Sequence, residues 1–250
     1  MIKLPFFRHN RTPPGARRPV DILAVGKEDY LFREKFKGLR AVVEQKVDLH
    51  QVKLLGITSS VAGEGKTITC ANLGRSLAST GRKKVLVVDV DIRKGDLTYG
   101  MGADRTPGLT EYLLGGASLR QITRETVVPN LSLITTGIEV NSPGDLLAGN
   151  EFKSFLQEIR ERYDTIFLDT PPILPVADTP TIRDLTDGFL VVYRAEFTPY
   201  TMLRQAIDEL GGKYVLGAVI NAVETQSDWY YQKYYDSYYQ KKPAKEESVG

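Results

Sequence analysis

A near balance of charge, 33 Lys and Arg against 31 Asp and Glu in 250 residues, gives this sequence no electrostatic case for nucleic acid as a partner. With 42% hydrophobic residues, a chain of this length is expected to form a single α/β domain with tails. The single cysteine, Cys70, excludes an internal disulfide and points to a reducing compartment, and no apolar run reaches the ~20 residues of a membrane helix or makes a signal-peptide core.

Residues 1–20 hold four prolines, five Lys or Arg and no acid, and are expected to be a disordered basic arm. Such an arm is either a solvated leader or a contact for anionic lipid or a partner's tail. Residues 21–225 are expected to hold the domain. Tyr30 to Lys46 is predicted helical, with Leu31, Phe32, Phe36, Leu39, Val42 and Val43 on one apolar face. Strands and helices then alternate. "KLLGIT" (53–58) is a predicted strand, followed by a glycine-rich turn and a predicted helix, "KTITCANLGRSLASTG" (66–81), closed by Gly81. "KVLVVDVD" (84–91) has the unbroken apolar run of a strand covered on both faces. "LSLITT" (131–136) is the next strand, and "EFKSFLQEIRERY" (151–163) sets Phe152, Phe155, Leu156 and Ile159 on one helical stripe. "TIFLDT" (165–170), "GFLVVYRA" (188–195) and "VLGAVIN" (215–221) complete at least six strands. This alternation predicts a mostly parallel sheet wrapped by helices on both faces, with ligands at the carboxyl ends of its strands. Residues 226–250 are a predicted tail.

"ITSSVAGEGKT" (57–67) leaves a strand and enters a helix, and its second half is the end of a phosphate-binding loop. Small residues let successive backbone N–H groups turn onto phosphate oxygens, and the helix N-terminus adds its positive dipole. The expected nucleotide contacts run through Ser60, Val61, Ala62, Gly63, Glu64, Gly65, Lys66, Thr67 and Ile68. Lys66 would reach the β- and γ-phosphates and the Thr67 hydroxyl would bind Mg2+. Ser60 stands where the motif usually has its first glycine. Two further strands end in carboxylates: Asp89 and Asp91, followed by Arg93, and Asp169. Alternation is expected to put Asp89 and Asp91 on the same side. Three carboxylates at strand ends near a phosphate loop make a hard oxygen site suited to Mg2+, whereas any one of them alone reads as a helix cap or turn residue.

Together with "PGLTEYLLGG" and "NSPGDLLAGNEFKSFLQEIRERYDTIFLDTPPILPVAD", these motifs resemble the bacterial tyrosine kinases over about Val25 to Tyr239. Cell-division and plasmid-partition ATPases share the loop but carry a lysine five residues before the invariant one, and here that position is Val61. The resemblance implies a P-loop NTPase-like fold using ATP and Mg2+. Its catalytic set would be Lys66, Asp89 and Asp91, its metal set Thr67, Asp89 and Asp169. Asp89 would accept the tyrosine proton or hold Mg2+. Asn221 resembles the family's adenine-side position, and a strand-end cap is the other reading. The family also has an early helix with Glu-x-x-Arg-x-x-Arg that packs subunits into a ring. Here the match is Glu34, Lys37 and Arg40, and the lysine keeps the charge but loses bidentate pairing. An ordinary solvated helix fits the same residues.

The tail holds "DWYYQKYYDSYYQ" (228–240), with Tyr230, Tyr231, Tyr234, Tyr235, Tyr238 and Tyr239 in three doublets. The doublets are either an aromatic packing face or an exposed substrate that a neighbour's active site phosphorylates, tethering keeping its local concentration high. By resemblance the protein would regulate surface polysaccharide synthesis or export. It would act in the cytoplasm, peripheral at the inner face of the plasma membrane, with a separate transmembrane activator and a cognate tyrosine phosphatase. A partition-type ATPase without tyrosine transfer and a nucleotide-gated scaffold are the alternatives. Asp178 could sense the γ-phosphate or cap a helix. Cys70 is expected in the core, Trp229 could pin the tail, and His9 and His50 have no partners at metal spacing.

Overall fold

The computed structural model describes residues 2–3, 22, 30–176 and 178–222. The first half of the chain runs β1 (Ile2–Lys3), α1 (Tyr30–His50), β2 (Leu54–Ser59), α2 (Lys66–Ala78), β3 (Val85–Asp89), α3 (Asp96–Gly100), α4 (Leu109–Leu113), α5 (Leu119–Ile122), β4 (Thr123–Glu125) and β5 (Leu131–Ile134). It continues with α6 (Pro143–Ala148), α7 (Asn150–Arg162), β6 (Thr165–Asp169), α8 (Asp178–Ile182), β7 (Gly188–Arg194), α9 (Tyr200–Leu210) and β8 (Val215–Asn221). The strands form one sheet in the order β1-β8-β7-β2-β6-β3-β5-β4, parallel throughout except for the β4–β5 pair.

Alternation within the central strands assigns the two faces. Leu55, Ile57, Val85, Val87 and Phe167 pack against α1 and α2. Their neighbours Leu54, Leu86, Val88, Ile166 and Leu168 pack on the opposite side against α7. Every residue of β2, β3 and β6 is therefore buried, which is why those strands read as continuous apolar runs. The predicted α/β architecture, covered on both faces, is observed. The strands before the phosphate loop (β2) and on either side of it (β6 and β7) reverse the winding direction, so the crevice for a ligand opens at the carboxyl end of β2.

Four expectations need correction. The chain leaves β3 at Asp89, so Asp91 is not a strand residue. Val90 and Asp91 both donate their N–H to the Asp169 carbonyl (2.9 and 3.1 Å), which draws the chain across the end of β6 and off β5. Val42 is 41% exposed, because the buried stripe of α1 runs Phe32, Phe36, Leu39, Val43 and Val47, and Val42 falls to its side. The helix predicted over 66–81 stops at Ala78, and Gly81, at φ 72°, closes a turn beyond it by donating to the Ala78 carbonyl. Within the arm expected to lack structure, Ile2–Lys3 pairs in parallel with Val219 and Ile220, satisfying the otherwise open edge of β8. The rest of the arm and the whole of the tail lie outside the described residues.

Candidate active site

Parallel register brings the carboxyl ends of three strands side by side. Asp89 of β3 pairs with Asp169 of β6, and Asp169 in turn with Ile57 of β2, just before the phosphate loop. Gly63 and Gly65 take positive φ (87° and 94°), a conformation that suits glycine and delivers the chain into α2. A Cβ on Gly65 would also strike the Asn221 amide, which leans on the loop and donates from Nδ2 to the Glu64 carbonyl (2.8 Å). The buried Glu64 carboxylate accepts the Val61 N–H at 2.8 Å and the Arg194 N–H at 3.3 Å. The loop is thus tied to the ends of β7 and β8 before any ligand arrives.

Lys66, the first residue of α2, is buried between carboxylates. Its Nζ lies 3.1 Å from Asp91 and 3.5 Å from Asp169, the Asp91 contact being an ion pair off the direction of a hydrogen bond. Thr67 donates its hydroxyl to Asp169 at 2.8 Å. Asp89 accepts the Thr98 N–H at 2.8 Å and the Thr98 hydroxyl at 2.7 Å, both on Oδ2. Its other oxygen, Oδ1, and the Ser60 hydroxyl are buried without a hydrogen-bond partner among the described residues.

The electrostatics follow from burial. Burial alone would lower the Lys66 ammonium, but Asp169, then Asp91 and Asp89, outweigh it and hold the lysine charged. Burial pushes Asp89 up to about 8, with Asp169 adding to the effect and the two Thr98 hydrogen bonds opposing it. Burial also raises Asp169, to about 6, against the pull of Lys66 and the Thr67 hydroxyl. Across the crevice mouth Arg93 pairs with Asp178 at the start of α8 (3.1 Å).

The chain is similar to known proteins in sequence and in fold. A sequence family described as the AAA domain covers residues 52–209. The tyrosine-protein kinase ptk of Acinetobacter johnsonii is 33% identical over 216 residues, 86% of this chain. The tyrosine-protein kinase YwqD of Bacillus subtilis is 32% identical over 238 residues, 94% of this chain and 99% of YwqD. The chain belongs to the bacterial tyrosine-protein kinase family. The solved kinase domain of the Escherichia coli tyrosine kinase ETK shares its fold, with a TM-score of 0.80 over 90% of both chains at 24% identity. The family varies in length: this chain spans 29% of ptk but nearly all of YwqD.

The residues singled out from the sequence divide three ways. Lys66, Thr67, Asp89, Asp91 and Asp169 converge, and Asn221 reaches the loop backbone rather than standing alone at a strand end. Glu34 and Lys37 pair with each other along α1 at 2.6 Å, and Arg40 turns onto its own chain, at Glu44 and the Ser76 carbonyl. The six tail tyrosines lie outside the described residues. Cys70 is fully buried behind the loop, as expected of a core residue. Thr98, and the pairing of Arg93 with Asp178, had no signal in the sequence, since each contact depends on a fold that closes 9 or 85 residues of chain. Among the described residues no helix is long and apolar enough to cross a membrane.

Proposed function

We propose that this chain is the catalytic domain of an ATP- and Mg2+-dependent protein-tyrosine kinase whose substrate is the tyrosine cluster Tyr230 to Tyr239 of another copy. The observation that carries the reading is Lys66, held charged between Asp91 and Asp169 at the mouth of a phosphate loop, in a chain that matches YwqD almost end to end. Regulation of surface polysaccharide, a separate transmembrane activator, a homo-oligomeric ring and a cognate phosphatase belong to the same proposal.

The side chains fit the implied nucleotide and metal. Mg2+ is usually bound by one or two carboxylates plus phosphates and water rather than by a cage of protein ligands. The Thr67 hydroxyl, Asp169 and the free Oδ1 of Asp89 would hold the ion, which supplies charge neutralisation on the phosphates. Lys66 would leave its carboxylates to meet the β- and γ-oxygens, and the α2 N-terminus would receive the phosphates between them. Asp169 orients Thr67 through the 2.8 Å hydrogen bond. Asp89 keeps one oxygen for the reaction and one for its anchor. Val61 in place of the partition-type lysine weighs against the ATPase alternative.

The test is mass spectrometry of the tail after incubation with Mg2+-ATP and a candidate activator segment, comparing the parent with Lys66→Met. Phosphate on Tyr230 to Tyr239 in the parent alone supports the proposal. ATP hydrolysis with no phosphotyrosine in either protein overturns it in favour of an ATPase.

A further inference from the structure

Asp89 has two oxygens in different circumstances. Oδ2 is saturated: it accepts both the N–H and the hydroxyl of Thr98, at 2.8 and 2.7 Å. Oδ1 is buried with no partner among the described residues. The Thr98 hydroxyl is itself directed, because it accepts the Thr136 N–H at 3.2 Å and must turn its proton toward Asp89. Thr98 is buried on α3, and Thr136 follows the end of β5. A relay of fixed donors therefore runs from the β5 end through α3 to the carboxylate at the β3 end. Gly95, at φ 65°, makes the turn that brings α3 back over the site, and a Cβ there would lie 3.4 Å from the Thr136 hydroxyl.

We infer that Thr98 is a positioning residue for the phosphoryl-transfer site: it pins the Asp89 carboxylate by one oxygen so that the other faces the phosphates. This rests on the kinase reading above. A plain structural account is available, in which Asp89 merely caps the first turn of α3 through the Thr98 N–H. Under that account the hydroxyl is dispensable, because every residue but proline keeps the N–H. The two accounts part at the hydroxyl. A carboxylate in this position without its side-chain anchor can rotate toward Lys66, which already draws on it electrostatically.

Thr98→Val removes the hydroxyl and keeps shape and N–H, and Thr98→Ser restores the hydroxyl without the methyl. Loss of one hydrogen bond to a charged group predicts that Thr98→Val lowers turnover about 10- to 100-fold, with KM for ATP within about twofold. Thr98→Ser should recover turnover to within about threefold of the parent, since it keeps the bond that matters. In a ligand-free crystal structure, Thr98→Val should show the Asp89 carboxylate rotated out of its parent position, and Thr98→Ser should not. Asp89 unmoved in Thr98→Val, or Thr98→Ser no more active than Thr98→Val, overturns the inference. A parent protein without any turnover counts against the kinase reading instead, and the Asp89 position in the two variant crystal structures then decides the role of Thr98.

Discussion

Removing a charge from this site has opposite consequences depending on which charge is removed. Asp89 is fully buried, its Oδ1 has no partner among the described residues, and its neighbour Asp169 repels it. Asparagine in its place still accepts both Thr98 bonds and needs no ionised form. Asp89→Asn is therefore expected to raise the melting temperature of the ligand-free protein while abolishing turnover, a trade often met where function requires a destabilised site. The pH dependence carries the same signature. A carboxyl raised from its ordinary value to about 8 binds a proton in the folded chain that the unfolded chain releases. Its contribution is complete below the ordinary carboxyl range and is lost as pH rises through about 8. Melts of the ligand-free protein at pH 5.5 and 8 should show the parent losing more stability than Asp89→Asn, and equal losses would count against the assignment. Lys66→Met does the reverse, because it leaves Asp91 and Asp169 buried without their cation. Breaking a buried pair by removing one partner costs about 3–5 kcal/mol, so this variant should melt well below the parent, and the double variant with Asp89→Asn should recover part of the loss.

Among the elements, β2 shows how the sheet holds the phosphate loop in place. Its entry is fixed by Asp187, which accepts the N–H groups of Lys53 and Leu54 (2.7 and 2.8 Å) and two bonds from Arg160 of α7. Burial works against the charged form, but these hydrogen bonds outweigh it and hold Asp187 below the usual carboxylate range. Its stabilisation is therefore present at neutral pH and lost as pH falls through the lowered value. Asp187→Asn should cost about 1–3 kcal/mol at pH 7, by denaturant unfolding, and the difference from the parent should shrink below about pH 4. Farther along β2, a Cβ on Gly56 would overlap the Phe189 ring of β7, and Gly56→Ala should destabilise by about 1–3 kcal/mol or more through overpacking. The central strands were legible because burial on both faces leaves one pattern, an unbroken apolar run ending in a polar residue. The phosphate loop was legible because its glycines and Lys66 are local in sequence. What escaped is tertiary. The exit of β3 at Asp89 depends on the Asp169 carbonyl, 80 residues on, accepting the next two N–H groups. The edge strand β4, only three residues with no buried position, carries no pattern to read. Asp178, left between a sensor and a cap, begins α8 and also pairs with Arg93, a contact no spacing rule predicts.

On the scale of the whole molecule, the concentration of buried carboxylates at the end of the sheet is the feature a ligand would relieve. Asp89, Asp91 and Asp169 against the single ammonium of Lys66 would leave a formal charge of −2 at the end of the sheet if all were ionised. The ligand-free chain limits this by raising Asp89 and Asp169 and by drawing Lys66 inward. A nucleotide with its divalent ion would remove the conflict: the ion would neutralise Asp89 and Asp169, and Lys66 would be free to meet the phosphates. Binding should therefore stabilise the fold strongly, and the metal should be essential to the effect. At Mg2+-ADP about 100-fold above its Kd, linkage predicts about 2.7 kcal/mol, or roughly 5–10 °C in melting temperature for a chain of this size. ADP at the same concentration with a chelator brings more negative charge to the carboxylates and should give less than about half of that shift. Thermal melts with ADP, with and without Mg2+, measure both. An equal shift under chelation would mean that Asp89 and Asp169 do not share a metal ion with the nucleotide, and the convergence of the aspartates would then serve only to hold Lys66 in place.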